Sequence, residues 1–171
     1  MQLEVKVSSE VLARINARIA KEHETKLWRP TAVAIVQCPQ GEVLFAKSAQ
    51  SHGRWGFPQG GIEQGETVIE GLMRELVEET ALDTPVVTIN RFCYFNRLHV
   101  PEHRDGFALG KSYYYFGVRC SAFPDVNLQT EELSAYTWLA RPQADNLICS
   151  RGSSEEKSRS MLFALQKAFS A

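Results

Sequence analysis

The chain has 171 residues, of which 44% are hydrophobic and 23% are charged, and its formal net charge is −1. This length and composition are typical of one globular domain and exclude a disordered or fibrous protein. Because nineteen basic residues nearly balance twenty acidic residues, the net charge gives no reason to expect bulk binding to nucleic acid or to a membrane surface. Any affinity for phosphate groups must come from the local placement of charges.

The cysteines and the N-terminal sequence favour a cytoplasmic protein. The four cysteines lie far apart and form no C-x-x-C pair, so their spacing supports neither a zinc site nor a redox site. The first residues, MQLEVKVSSE, contain no apolar signal core, and no apolar run approaches the ~20 residues that a membrane helix needs. We therefore expect a reduced, cytoplasmic protein with no membrane partner.

The N-terminal part of the chain predicts a helix followed by a β-hairpin. Apolar residues recur at helical spacing over residues 8–24, with a serine at the start as N-cap, and Pro30 is expected to end this region. Residues 31–37 are rich in β-branched side chains, and residues 42–46 follow after a Pro-Gln-Gly turn signal. This arrangement is typical of two strands joined as a hairpin.

The C-terminal part predicts three further strands and a last helix. Residues 86–96 and 112–121 are rich in β-branched and aromatic side chains and indicate strands, and the polar stretch between them is predicted to be a long loop. A short strand is predicted at 133–139, and a helix over 153–168 because Ser153 and Glu156 have capping-box spacing. The pattern predicts the α/β class, with helices flanking a central mixed sheet in a single domain.

The most informative element is the helix predicted from Thr67 to Ala81, where Thr67 and Glu70 have capping-box spacing. On a helical wheel Glu79 falls within the apolar arc, with Glu75 and Glu78 beside it. Like charges so close together resist ionising unless a cation neutralises them, and carboxylate oxygens suit a divalent cation of the magnesium type.

An acidic surface helix whose glutamates pair with an arginine is the alternative to a metal site. Arg74 is the only basic residue for five glutamates between Glu66 and Glu79, so pairing alone does not neutralise them. The preceding loop adds weight to the metal site, because its glycines, among them Gly60 and Gly61, permit close approach of the backbone. Its amides then face a phosphate group at the positive end of the helix.

In full, the stretch reads Gly60, five residues, Glu66, seven residues and then Arg74-Glu75-Leu76-Val77-Glu78-Glu79-Thr80-Ala81-Leu82. This closely resembles the Nudix box, the signature of the Nudix hydrolases, and every charged position of that motif is present. The one departure is Ala81, where the family usually has a glycine that eases the exit of the chain from the helix. This departure concerns the helix end and leaves the metal site intact.

The resemblance implies a Nudix-type α/β/α sandwich over residues 29–171, with residues 1–28 as an N-terminal strand and helix extension packed on it. It also implies Mg²⁺-dependent attack of water on phosphorus, with Mn²⁺ as an alternative metal. By position in the motif, the implied metal ligands are Glu75, Glu78, Glu79 and the carbonyl group of Gly60. Arg74 matches the arginine that orients a catalytic glutamate, and Glu66 matches its salt-bridge partner.

The identity of the general base stays open, because it varies among Nudix enzymes; Glu75 and Glu78 are candidates. Glu132 is a further catalytic candidate, since residues 132–138 are similar to a stretch of some family members in which a loop glutamate approaches the metals. The alternative is that Glu132 is a solvated loop carboxylate. Arg54, Gly61 and Lys111 are candidate substrate-binding residues, because basic side chains and loop amides suit phosphate oxygens.

The loop Trp55-Gly56-Phe57-Pro58-Gln59-Gly60-Gly61-Ile62 looks like that of RNA pyrophosphohydrolases and diadenosine tetraphosphate hydrolases. The implied substrate is a small nucleotide, namely a nucleoside diphosphate linked to another moiety, as in a nucleoside polyphosphate, a dinucleoside polyphosphate or a nucleotide sugar. An RNA end is a further candidate. A nucleotide-binding sensor without turnover is the alternative function. The N-terminal helix either caps the sheet or serves a homodimer.

Overall fold

The computed structural model describes residues 2–50, 53–83, 86–100, 106–121, 126, 131 and 133–170. The helices and strands in chain order are β1 (Glu4–Val5), α1 (Ser9–Thr25), β2 (Trp28–Gln37), β3 (Val43–Ser48), β4 (Trp55–Gly56), β5 (Gln59–Gly61), α2 (Val68–Thr80), β6 (Val87–His99), β7 (Gly110–Cys120), β8 (Leu133–Leu139), α3 (Arg141–Ser150) and α4 (Glu155–Phe169).

The strands form one mixed sheet. Its order is β1-β6-β7-β2-β3-β4, and two further strands join it, with β5 pairing with β2 and β8 pairing with β3. β2 runs parallel to β7, whereas β6 and β7 are antiparallel and so are β2 and β5. The parallel and antiparallel pairs together confirm the predicted mixed sheet.

Helices cover both faces of the sheet. On one face, Ile15 of α1 and Leu72 of α2 are buried against Ala34 and Tyr114 of the sheet. On the other face, Ile148 of α3 and Leu165 of α4 are buried with strand residues that include Val33 and Tyr115. Alternate residues of each strand therefore point to opposite cores. This arrangement confirms the predicted α/β class and the α/β/α sandwich.

Several local predictions are wrong or incomplete, and two of them concern β2. Pro30 does not end the N-terminal region but lies inside β2, where it faces Ser112 of β7 and its carbonyl group accepts a hydrogen bond of 3.0 Å from the amide of Ile62. A proline is tolerated there because it stands near the beginning of the strand. The predicted hairpin is short, because β2 and β3 face each other only at Gln37 and Val43; the rest of that edge of β2 pairs with β5.

The loop predicted between the two long strands is shorter than expected. β6 continues to His99 and β7 begins at Gly110, because cross-strand pairing extends through polar residues that the sequence pattern assigned to the loop. The helix α3 was not predicted, and α4 is capped by Ser154, whose hydroxyl group accepts from the amide of Lys157, rather than by Ser153. None of the described helices is long and apolar enough to cross a lipid bilayer.

The N-terminal helix α1 is held to the sheet by a buried carboxylate. Glu22 is only 2% exposed, and it accepts hydrogen bonds from Tyr114 Oη at 2.9 Å, from Arg97 Nη2 at 3.0 Å and from Ser112 Oγ. Asn16 makes a second link, since its Oδ1 accepts a hydrogen bond of 2.8 Å from the amide of Val68 at the start of α2. Helix α1 therefore supports both the central strands and the next helix.

We predict that Glu22→Ala lowers the free energy of unfolding by about 3 kcal/mol, because the buried hydroxyl groups and the guanidinium group would lose their acceptor. Urea denaturation followed by circular dichroism measures this change. The matched control is Glu24→Ala, which removes an exposed glutamate of the same helix and should cost less than about 1 kcal/mol. Equal effects of the two substitutions would contradict a structural role for the Glu22 carboxylate.

Candidate active site

Helix α2 has well-defined ends. At its start Thr67 and Glu70 form a reciprocal capping box, as the sequence predicted. At its end Ala81 adopts a left-handed conformation with φ of 59°, and its amide donates to the carbonyl group of Val77 at 2.9 Å. An alanine therefore makes the turn for which the family motif usually has glycine, at a cost of roughly 1–2 kcal/mol.

Glu79 is buried, as the helical wheel predicted. Its side chain is only 8% exposed, and its Oε2 accepts a hydrogen bond of 2.9 Å from the amide of Gln59 at the start of β5. Burial of a carboxylate is expensive unless partners stabilise it. The hydrogen bond from Gln59 stabilises the Glu79 carboxylate and joins the core-facing side of α2 to β5, which we call the glycine strand.

Arg74 is the centre of an ionic network on the same helix. Its Nε and Nη2 donate to the two carboxylate oxygens of Glu66 at 2.7 and 3.0 Å, and Nη2 also donates to the carbonyl group of Gly61 at 2.7 Å. Its Nη1 donates to Glu75 at 2.8 Å and to Glu78 at 3.1 Å. The hydrogen bonds from Arg74 lower the pKa of Glu66, and those that it makes to its carboxylate partners raise the pKa of Arg74.

Glu75 lies against Gly60. A Cβ atom added to Gly60 would be 1.7 Å from the carboxyl carbon of Glu75, so only glycine leaves room for this carboxylate. Burial raises the pKa of Glu75, and Arg74 opposes that effect. A carboxylate whose pKa is perturbed by burial and by a specific charged partner is a candidate for a functional group.

The carboxylate oxygens of the glutamates on α2 suit a divalent cation as ligands, although they make hydrogen bonds to protein groups in this structure. Carboxylate oxygens of Glu75 and Glu78 converge on the same Arg74 nitrogen, and the cradle at Gly60 admits the Glu75 carboxylate beside the backbone. Hard oxygen donors of this kind fit Mg²⁺ or Mn²⁺. Within the described parts of the chain, no three His, Cys, Asp or Glu side chains already form a cluster that could hold a metal.

The glycine strand separates two chemical environments. Gly60 faces Ala32 of β2 on the side of α2, and Gly61 faces Thr31 on the side of α4. On this second side, a Cβ atom added to Gly61 would be 2.5 Å from a guanidinium nitrogen of Arg29. The carboxylates therefore approach β5 from one face of the sheet, and a cation approaches it from the other face.

The other candidate residues are placed as follows. Lys111 lies on β7 directly opposite Arg29 of β2, next to the glycine strand. Arg54 is exposed just before β4, and its carbonyl group accepts from the amide of Ser48 at 2.9 Å. Glu132 lies outside the described residues.

Two further basic residues lie on the side of the sheet that α4 covers, and the sequence analysis did not identify either of them. Arg151 donates from Nε to the carbonyl group of Trp55 at 2.8 Å, and Lys157 places its Nζ 3.2 Å from the ring centroid of Tyr113 and 3.3 Å from Tyr115 Oη. Burial lowers the pKa of both groups. Repulsion from Arg54 adds to this effect at Arg151, and repulsion from Arg151 and Lys111 adds to it at Lys157. No motif surrounds them in the sequence, and only the fold brings α4 over β7.

Neither of these two cations forms a salt bridge with any carboxylate that the structure describes. Positive charges that are half-buried without acidic partners are costly, and an anionic ligand would relieve that cost. Together with Arg29 and Lys111, they make the α4 side of the sheet electropositive next to Gly61.

The chain is similar in sequence to known proteins. Residues 27–161 match the family model of the NUDIX domain. An RNA pyrophosphohydrolase from Helicobacter pylori (strain P12) is 34% identical over 122 residues, which cover 67% of this chain and 79% of the relative. An RNA pyrophosphohydrolase from Erythrobacter litoralis (strain HTCC2594) is 37% identical over 95 residues, which cover 54% of this chain and 58% of the relative.

Solved structures show the same fold. The crystal structure of a C. elegans Ap4A hydrolase binary complex superposes with a TM-score of 0.62 at 20% identity, covering 81% of this chain and 93% of that one. The structure of the E. coli dihydroneopterin triphosphate pyrophosphohydrolase superposes with a TM-score of 0.63 at 18% identity, covering 82% and 95%. The motif from Gly60 to Leu82, the sandwich around it and the match over residues 27–161 together show that the chain belongs to the Nudix hydrolase family.

Proposed function

We propose that this protein is a cytoplasmic, Mg²⁺-dependent pyrophosphohydrolase that cleaves a phosphoanhydride bond in a nucleotide with an extended phosphate chain. The observation that carries the proposal is the strand β5, where the Glu75 carboxylate lies against Gly60 and the Arg29 guanidinium group lies against Gly61. A phosphate group at this strand would have carboxylates on one side and cations on the other. That is the arrangement that hydrolysis of a phosphoanhydride needs.

The proposed metal ligands are the carboxylates of Glu75, Glu78 and Glu79 and the carbonyl group of Gly60. When bound there, a divalent cation supplies charge to polarise the phosphoryl oxygens and lower the pKa of a water molecule. Arg74 holds Glu75 and Glu78 side by side through one nitrogen. Glu66 fixes the other side of the same guanidinium group, so it acts through Arg74 rather than on the substrate.

The proposed substrate side is the electropositive face near Gly61. Arg29 and Lys111 lie opposite each other on neighbouring strands, and Lys157 and Arg151 lie under the same face without a described acidic partner. Their positive charge would balance the phosphates of a polyphosphate chain, with Arg54 at the rim. This favours nucleoside polyphosphates, dinucleoside polyphosphates and 5′-phosphorylated RNA ends over nucleotide sugars, and the names of the RNA pyrophosphohydrolases similar in sequence agree.

We also propose that residues 1–28 form an extension that packs on the domain of residues 29–171. The contacts of Glu22 with β6 and β7 and of Asn16 with α2 support this arrangement. They favour a helix that caps the sheet of its own chain over one that serves a homodimer.

We predict that Glu79→Gln lowers kcat at least about a hundredfold against a panel of nucleotides with Mg²⁺, because it removes a negative charge from the metal site. The amide keeps an oxygen for the bond from Gln59, so the fold should survive. The assay is release of phosphate-containing product by the purified protein. Equal turnover by both proteins would show that Glu79 is not a metal ligand, and binding without turnover by the wild type would favour the sensor function.

We predict that removal of divalent cations with a chelator abolishes turnover while the melting temperature stays above the assay temperature. Added Mg²⁺ should restore activity, and Mn²⁺ should replace it because both accept oxygen ligands. Thermal melting measured with and without chelator separates loss of the cation from loss of the fold. Full activity in the presence of the chelator would contradict the metal-dependent mechanism.

We predict that Gly60→Ala lowers kcat by about a hundredfold or more, because the added methyl group would occupy the place of the Glu75 carboxylate. The matched control is Gly56→Ala in β4, where a Cβ atom would meet its nearest neighbour at 3.6 Å, an ordinary contact. The control should keep its activity within about threefold. Similar losses in both variants would indicate general sensitivity of this loop rather than displacement of Glu75.

A further inference from the structure

Helix α1 turns one row of side chains toward the start of α2. Asn16, Ile19 and His23 follow one another at intervals of three and four residues, so they lie on the same face of the helix. Ile19 is buried in the same hydrophobic core as Val68, the first residue of α2. Because α1 precedes residues 27–161, which match the family model, the Nudix motif assigns no role to this row.

The side chain of Asn16 supplies an acceptor to the first turn of α2. The amide of Val68 donates a hydrogen bond of 2.8 Å to Asn16 Oδ1. The first four amides of a helix have no acceptor within it, and Val68 is fully buried, so solvent does not replace Asn16 in this contact. The capping box of Thr67 and Glu70 serves the amides of those two residues. The start of α2 is therefore capped by two different segments of the chain.

Val68 lies two residues after the carboxylate that holds the ionic network together. The two carboxylate oxygens of Glu66 accept hydrogen bonds from Arg74, and Arg74 also donates to Glu75 and Glu78. Groups that orient metal ligands in this way change metal affinity although they do not touch the metal. A shift of the first turn of α2 therefore moves Glu66 and, through Arg74, two of the proposed metal ligands.

His23, in the same row as Asn16, acts on Glu66 itself. The hydrogen bond from Arg74 is the largest cause of the lowered pKa of Glu66, and the positive charge of His23 contributes in the same direction. Such an effect requires the two side chains to lie near each other. The row on α1 therefore places an acceptor and a cation beside the turn of chain that leads into α2.

We propose that Asn16 is a positioning residue for the metal site, which fixes the start of α2 and thereby the place of the carboxylates around Arg74. The inference rests on the proposed function and adds to its site a residue from the N-terminal helix. In this role Asn16 acts through Val68 and Glu66 and touches neither the cation nor the substrate. Glu22 already ties α1 to the sheet, so the bond to Asn16 serves the placement of α2 rather than the docking of α1.

The test is binding of Mn²⁺, followed by electron paramagnetic resonance, to the wild type, Asn16→Ala and Asn16→Asp. Asn16→Ala should weaken Mn²⁺ binding about tenfold and lower kcat by a similar factor, because the carboxylates are displaced. The KM for the nucleotide that the wild type hydrolyses best should stay within about twofold, because the phosphate-binding side is not displaced. Asn16→Asp keeps an oxygen acceptor at the helix start and should restore Mn²⁺ affinity and kcat to within about threefold of the wild type. The Val68 amide hydrogen should exchange at least about tenfold faster in Asn16→Ala alone.

The matched control is Glu22→Ala, which removes contacts of the same helix with β6 and β7 and keeps the bond between Asn16 and Val68. Below the melting temperature of every variant, this control should keep its affinity for Mn²⁺ within about twofold although its fold is less stable, since separate sites act independently. Should Asn16→Ala fail to fold, Asn16→Gln takes its place with the same expected weakening, because the longer side chain displaces the amide oxygen.

The outcomes separate the inference from the proposed function. Unchanged Mn²⁺ affinity and kcat in Asn16→Ala would overturn the inference and leave the proposed function standing. Equal weakening by Glu22→Ala would overturn it too, because the docking of α1 as a whole would then govern the site. Failure of Asn16→Asp to restore the affinity would also count against it, since the lost acceptor would not be the cause. If the wild type itself binds no Mn²⁺ and hydrolyses no nucleotide, the proposed function fails together with the inference.

Discussion

The site depends on the contact of one guanidinium group with three carboxylates and a backbone carbonyl group. Arg74 joins Glu66, Glu75 and Glu78 and also reaches the carbonyl group of Gly61. Without it, three carboxylates would stand near each other without a positive charge, and at least one would take up a proton. The same contact fixes helix α2 relative to β5. Ionisation of the carboxylates and placement of the glycine strand are therefore set by one side chain.

The glycine strand β5 brings charged groups from the two faces of the sheet close to one another. β5 is only three residues long, yet Gly60 borders the carboxylates of α2 and Gly61 borders Arg29. Side chains at either position would displace one set of charges. The carboxylates of α2 and the guanidinium group of Arg29 thus lie on opposite sides of the same strand. They still interact across it, since Arg29 is among the cations that oppose the effect of burial on the pKa of Glu75.

Much of this could be predicted from the sequence, for physical reasons that differ between elements. The helix wheel located Glu79 in the core because burial follows the 3.6-residue period, and the capping box gave the start of α2. The extent of β6 and β7 could not be predicted, since their polar ends are held by cross-strand pairing rather than by an apolar pattern. Lys157 and Arg151 were missed for a related reason: they reach Tyr115 of β7 and Trp55 of β4 only when the fold brings the C-terminal part of the chain over the sheet. Glu22 carries no local signal either, because its partners lie some 75 to 92 residues away in the chain.

The most direct test of the central claim is binding of Mn²⁺ to the free enzyme, followed by electron paramagnetic resonance for the wild type and for Glu75→Gln. If the carboxylates on α2 hold the cation, the wild type binds Mn²⁺ and Mg²⁺ competes with it. The variant should bind Mn²⁺ at least about tenfold more weakly, since loss even of a group that only supports a ligand costs that much. Equal affinity in the two proteins would contradict the claim that the glutamates around Arg74 form the metal site.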